Sequence, residues 1–157
     1  MKSRQERKIK EGAGPFLEEG EEVLAAIVAR PRGWGQAMAG SFPLGETQEG
    51  RAYAAAEQAG FRLASPMALA VTQKRLLSLG ISTPIGLGIG GEVRALVSAA
   101  PLGDVDSIEV QRLLLGYAIT VTVRGVPFKL EANALAGARA LAREFDRLRP
   151  RREVTHS

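Results

Sequence analysis

Between Asp104 and Glu131 three segments alternate apolar and polar residues. Ile108 and Val110 are interleaved with Glu109 and Gln111. Tyr117, Ile119, Val121 and Val123 are interleaved with Thr120, Thr122 and Arg124, and Val126, Phe128 and Leu130 with Pro127, Lys129 and Glu131. A period of two is the mark of strands with one buried and one wet face. Arg124-Gly125 predicts a tight turn in which the glycine takes positive φ, and Pro127, lacking an N–H, predicts an edge or a bulge for the last strand.

Upstream, Met67 to Ile81 (MALAVTQKRLLSLGI) reverses across Thr72-Gln73-Lys74-Arg75 and reads as a β-hairpin, and Val93 to Ala100 reads as a further strand. Glu21 to Arg30 is apolar on both parities, which fits a strand covered on both sides or a short helix; Val23, Ile27 and Val28 favour the strand. Asn133 is a good N-cap. After it Leu135, Ala138, Leu141, Ala142, Phe145 and Leu148 recur at spacings of three and four until Pro150, tracing one apolar helix face. Arg139, Arg143 and Arg147 fall on the opposite, solvated face, where late arginines suit the helix dipole.

Seven strands followed by one amphipathic helix resembles a bacterial pleckstrin-homology-like (PH-like) domain. The segments that carry the resemblance are FLEEGEEVLAAI, MALAVTQKRLLSL, APLGDVDSIEV and ITVTVRGVPFKLEA, within Phe16 to Leu148. The resemblance implies a mainly β chain with a C-terminal α-helix, a seven-stranded antiparallel barrel or sandwich capped by that helix. The expected division is a basic flexible leader over residues 1–15, the domain over 16–149 with an insertion at 31–66 between its first two strands, and a flexible tail over 150–157. It also implies a binding or assembly scaffold, often self-associating, with no shared enzyme activity and no catalytic residues to carry over. In lipid-binding members of the wider fold the ligand lies between the first two strands and beside the third-to-fourth and sixth-to-seventh loops. Here that implies Arg30, Arg32, Arg94 and Arg124 as candidates. Recognition of an inositide phosphate needs several convergent cations, and this chain lacks that dense cluster.

The insertion from Pro31 to Pro66 is the anomaly of the chain, because structureless connections beyond about 12–15 residues are uncommon in compact domains. It holds eight alanines and six glycines, with a short helix predicted over Glu46 to Ala59 and Gly60 as its stop. Four of the chain's eight aromatics, Trp34, Phe42, Tyr53 and Phe61, fall inside it. Such aromatics either fold back over apolar surface, pack on a second subunit, or dip into a membrane interface.

Composition narrows the chemistry. The chain has 157 residues, enough for one domain, and no cysteine, so disulfides and thiolate metal sites are excluded. Its formal net charge is +4, but residues 1–10 carry +4 and residues 139–157 carry +3 against −3 between them. The basicity belongs to the ends, which argues against a dedicated nucleic-acid groove. Gly86, Gly88 and Gly91 spell G-x-G-x-x-G without the strand–turn–helix context a dinucleotide requires. His156, the one histidine, lies in the tail. Glu18, Glu19, Glu21 and Glu22 read as a solvated turn, Asp104 and Asp106 as residues opening a strand, and Lys74 and Arg75 as cations at a hairpin tip. No catalytic residue, cofactor, metal site or small-molecule substrate is expected. The reading is a non-catalytic module acting through protein association, with homo-oligomerisation first. The alternative is peripheral binding to an anionic lipid surface through the basic leader and the aromatic insertion. The expected location is the cytoplasm, with the inner membrane face as the site of the alternative.

Overall fold

A computed structural model describes residues 4–31, 48–83, 90–133 and 137–148. Seven antiparallel strands, β1 (Val23–Pro31), β2 (Met67–Thr72), β3 (Arg75–Ile81), β4 (Val93–Pro101), β5 (Val105–Leu113), β6 (Gly116–Val123) and β7 (Val126–Asn133), lie in the order β4-β3-β2-β1-β7-β6-β5. Among the described residues no ladder joins β4 to β5, so the sheet is open rather than a closed barrel. β1 is the shared strand. It pairs with β2 from Val23 to Ala29, but with β7 only where Arg30 faces Glu131 and Pro31 faces Leu130.

Among the described residues there are also three α-helices, α1 (Arg4–Ala13), α2 (Gln48–Gln58) and α3 (Ala138–Leu148), and two short 3-10 turns, Gly14–Phe16 and Leu102–Asp104. α3 rests on β1, β2 and β5, strands from both halves of the folded sheet, and seats Ala138, Leu141 and Phe145 in the core between them. Its first residue lies beyond the predicted start, because Asn133 is the end of β7 rather than a cap; Leu135 lies outside the described residues. α2 falls within the predicted helix and packs chiefly on β7, and Gly60 ends it with φ of +78°. Pro127 sits in the part of β7 past the end of β1, where its missing N–H costs no ladder bond.

Both parities of the first hairpin sheet are buried, and the reason is visible in two clusters. Ile27, Met67, Leu69, Val71 and Leu76 face the main core with Phe128, Leu130 and Phe145. Val23, Ala26, Ala68, Ala70, Leu77, Leu79 and Ile81 face the other way, under Ile9 and Ala13 of α1. The register irregularity between Val23 and Ala25 puts Val23 and Ala26 on one face. The cover that the sequence of β1 requires is therefore the basic N-terminal stretch. Expected to be a flexible leader, Arg4–Ala13 is instead a docked helix.

Candidate interaction surface

The two tight hairpin tips meet opposite fates. At the β2–β3 tip, the carboxylate of Glu21 is buried and receives Arg75 Nη2 at 2.6 Å, Arg75 Nε at 3.0 Å, the Thr72 hydroxyl at 2.6 Å and the Glu18 N–H at 2.9 Å. Burial alone would raise its pKa; the bonds from Arg75, Thr72 and Glu18 prevail and lower it from 4.5 to about 2. The same bond to Glu21 raises Arg75. Arg75 Nη2 also donates to the Phe16 carbonyl at 3.2 Å, while Gln73 donates to the Gly20 carbonyl at 2.6 Å and accepts from the Glu22 N–H at 2.9 Å. Two expectations are corrected by this clasp. Glu21 is not part of a solvated turn, and Arg75 is a structural partner rather than a cation held out at the tip, because the turn before β1 folds onto the hairpin and brings the two charges into one dry site.

Arg124 is used in a similar way. With φ of +49° at Arg124 and +80° at Gly125, the β6–β7 turn has the left-handed pair that suits two-residue hairpins. Arg124 Nη1 donates to the Ala59 carbonyl at 2.8 Å and Nη2 lies 3.0 Å from Asp104, while Asp106 accepts the Gly125 N–H at 2.7 Å. This candidate ligand arginine therefore fastens the end of α2 to the sheet, and both aspartates serve the turn.

The aromatics of the insertion fold back where they are described. Phe61 is fully buried and stacks on Phe128, ring centres 5.6 Å apart, and Tyr53 packs half-buried against the same core. Arg94 is exposed on β4 at the open edge of the sheet, and Arg30 is half-buried opposite Glu131. Arg32, Trp34 and Phe42 lie outside the described residues, as do Gly86 to Ile89 of the glycine-rich loop. The neck of that loop is held by Ser82, which donates its hydroxyl to Glu92 and keeps that carboxyl below its ordinary value.

The β5–β6 tip is different. Leu114 and Leu115 form its two-residue turn and are 95 % and 87 % exposed, the exposed large hydrophobic residues of the described chain. Behind them, β1 and β7 diverge below the Arg30–Glu131 pair and leave an open cavity of about 680 Å³. Val28 and Ala29 form one wall, Ala132 the other, and Leu113, Leu115 and Tyr117 reach in from the hairpin. Gly116 is required there, since a Cβ would lie 2.3 Å from the Ala132 carbonyl oxygen. Arg139 of α3 stands 5.8 Å over the Tyr117 ring. Sequence reasoning passed over this site. The available signal was three consecutive leucines, Leu113 to Leu115, in a turn where glycine, asparagine or aspartate is usual.

An open seven-stranded antiparallel sheet folded about its shared strand, with a C-terminal helix across both halves, has the element order expected of a PH-like fold. Similar solved structures are bacterial pleckstrin-homology proteins. One is a DUF1696 family protein with a pleckstrin-homology domain from Shewanella loihica PV-4, 11 % identical over 90 % of this chain and 93 % of that one, with a TM-score of 0.46. Another is a pleckstrin-homology domain from Shewanella amazonensis SB2B, 12 % identical over 89 % of this chain and 84 % of that one, with a TM-score of 0.47. No family model and no curated protein matches the chain.

Proposed function

We propose that this chain is a non-catalytic PH-like module that works by protein association, and first by association with copies of itself. The observation that carries the reading is the pair Leu114 and Leu115, almost fully exposed at the rim of a cavity lined by Val28, Ala29, Ala132 and Tyr117 together with Arg30, Glu131 and Asn133. A single exposed leucine is ordinary, but two together on a projecting turn leave apolar area in water that a contact would remove. A two-fold arrangement suits this geometry, because tip and cavity are adjacent and each copy's tip meets the other's cavity in a self-complementary contact. The non-catalytic part of the reading is supported by where charge is spent. Glu21 and Arg75, the buried ionisable pair, neutralise each other, and Arg124 is engaged by Ala59 and Asp104.

Sedimentation velocity over a concentration series tests this. The wild-type chain is expected to gain mass with concentration and Leu114→Ser/Leu115→Ser to gain markedly less at the same concentrations; a wild-type chain that is monomeric throughout, or a double variant that associates as the wild type does, refutes the reading.

A second reading, peripheral attachment to an anionic lipid surface, is favoured by one observation: α1 buries Ile9 and Ala13 and keeps Arg4 and Arg7 exposed. Each such cation contributes roughly 1 kcal/mol at an anionic bilayer, screened by salt. Among the described residues no helix is long and apolar enough to cross a membrane. Flotation with phosphatidylglycerol vesicles at low salt decides it. Binding that Arg4→Glu/Arg7→Glu abolishes supports attachment, and no binding by the wild-type chain ends it.

A further inference from the structure

The face of β1–β4 turned away from the main core carries Val23, Ala26, Ala68, Ala70, Leu77 and Leu79, an apolar surface spread over three adjacent strands. A solvated outer face of an antiparallel sheet reads polar, so this one is written to be covered. Its cover is thin. Six of the ten residues of α1 are charged, and the helix commits two fully buried side chains, Ile9 and Ala13. Ten residues of this composition are too few to hold a helix alone in water, so α1 is folded because it is docked.

The attachment of α1 is uneven along its length. Lys8 donates to the Gly90 carbonyl at 2.8 Å and lies 3.5 Å from the exposed Glu92. Gln5 packs its amide over Gly91 and has no hydrogen-bond partner for its buried Nε2 among the described residues, a desolvated donor that works against the docked state. Immediately downstream the chain is fixed firmly, by Arg75 on the Phe16 carbonyl and by the buried Glu21–Arg75 pair. Between the two, Gly14–Phe16 form a single 3-10 turn closed by the Leu17 N–H on the Gly14 carbonyl at 3.2 Å, and open space surrounds Gly14, where a Cβ would meet nothing within 4 Å. A helix with two fully buried apolar side chains, a single 3-10 turn with open space around Gly14, and a rigid clasp follow one another within residues 4–21.

We propose that α1 is an exchangeable cover. It swings about Gly14-Pro15 while the clasp stays closed, and its occupancy of the β1–β4 face is shared with α1 of a second copy, so that two chains exchange their N-terminal helices. The face that accepts α1 within one chain accepts the identical helix from another with the same contacts, which makes such exchange a low-cost route to a dimer. This interface is separate from the Leu114–Leu115 tip and stands or falls independently of it.

The absence of cysteine from the chain allows a clean test. A Cβ on residue 12 would lie 2.9 Å from the Val93 Cβ, so after a small outward shift Gly12→Cys/Val93→Cys reaches the roughly 3.5–4.5 Å separation of a disulfide. Mixed ¹⁵N-labelled and unlabelled chains are concentrated under reduction, oxidised, and mapped by mass spectrometry. Exchange gives a disulfide-linked pair of peptides, one from each of the two substituted positions, in which a single partner carries the label. Its yield rises with concentration and survives Leu114→Ser/Leu115→Ser; peptides linked within one chain alone at every concentration overturn the proposal. Hydrogen exchange on the unaltered protein keeps the question decidable if the double variant does not fold. The α1 amides are expected to exchange about a thousandfold faster than those of β2, at local rather than global cost. Equal protection of the two elements overturns the proposal.

Discussion

The β2–β3 and β5–β6 hairpins are built on the same plan and end in opposite chemistry. At the first, every polar group near the turn is engaged: Thr72 and Arg75 on Glu21, Gln73 on Gly20 and Glu22, Lys74 on the Glu19 carbonyl at 3.3 Å. At the second, two leucines stand in water beside a cavity. Charged residues at a turn look like a binding site in a sequence and here are fold; apolar residues at a turn look like core and here are surface. What separates the two is whether another segment arrives to use the side chains. The turn before β1 reaches the first tip, and no described residue covers the second.

The comparison predicts its largest stability effect at the first tip. Arg75→Ala leaves the Glu21 carboxylate buried without its cation, and removal of one member of a buried pair costs about 3–5 kcal/mol. Urea denaturation at neutral pH measures it, and a loss below about 1 kcal/mol would mean the clasp is hydrated and the two tips are alike. A similar loss is expected from Phe61→Ala, about 3–5 kcal/mol, because that ring is buried in the main core against Phe128.

The pH dependence sharpens the same contrast. Glu21 has a depressed pKa in the folded chain, near 2 against 4.5 unperturbed, so its contribution is complete above about pH 4.5 and is lost as pH falls toward 2. The midpoint of urea unfolding in wild type should fall steeply across that window. Glu21→Gln should be less stable at pH 7 and show a shallower fall; parallel profiles for the two proteins would remove Glu21 from the explanation. A smaller loss, about 1–2 kcal/mol, is expected for Gln73→Ala, whose two hydrogen bonds to the backbone are solvent-exposed.

Most of the sheet is legible in the sequence because each strand announces itself locally. Period-two alternation locates β5, β6 and β7, and the turn residues Arg124 and Gly125 set the last hairpin. The burial of both faces of β1 was also readable, from an apolar run without alternation. What covers the second face was not, since six charges in α1 outweigh Ile9 and Ala13 in any local reading. The candidate arginines illustrate the same limit. Arg124 and Arg75 are indistinguishable from ligand-binding cations until Ala59, Asp104 and Glu21 are brought to them by segments 20 to 65 residues away along the chain. Leu114 and Leu115 were harder to read, because their two-residue turn holds no glycine, asparagine or aspartate to mark it.

The smallest stability effect belongs to the second tip, and its smallness is what gives it meaning. Leu114→Ser/Leu115→Ser removes side chains that are already exposed, so the unfolding free energy should change by no more than about 0.5 kcal/mol. In an interface each leucine would bury area worth roughly 1.5–3 kcal/mol, so association should weaken about tenfold or more per side chain. Urea denaturation and sedimentation velocity on the same preparation separate the two quantities. Lost stability with unchanged mass would make the leucines a packing element under cover. Unchanged stability with lost association would assign them to a contact between chains, the role that polar side chains at the other tip, already spent within the fold, cannot fill.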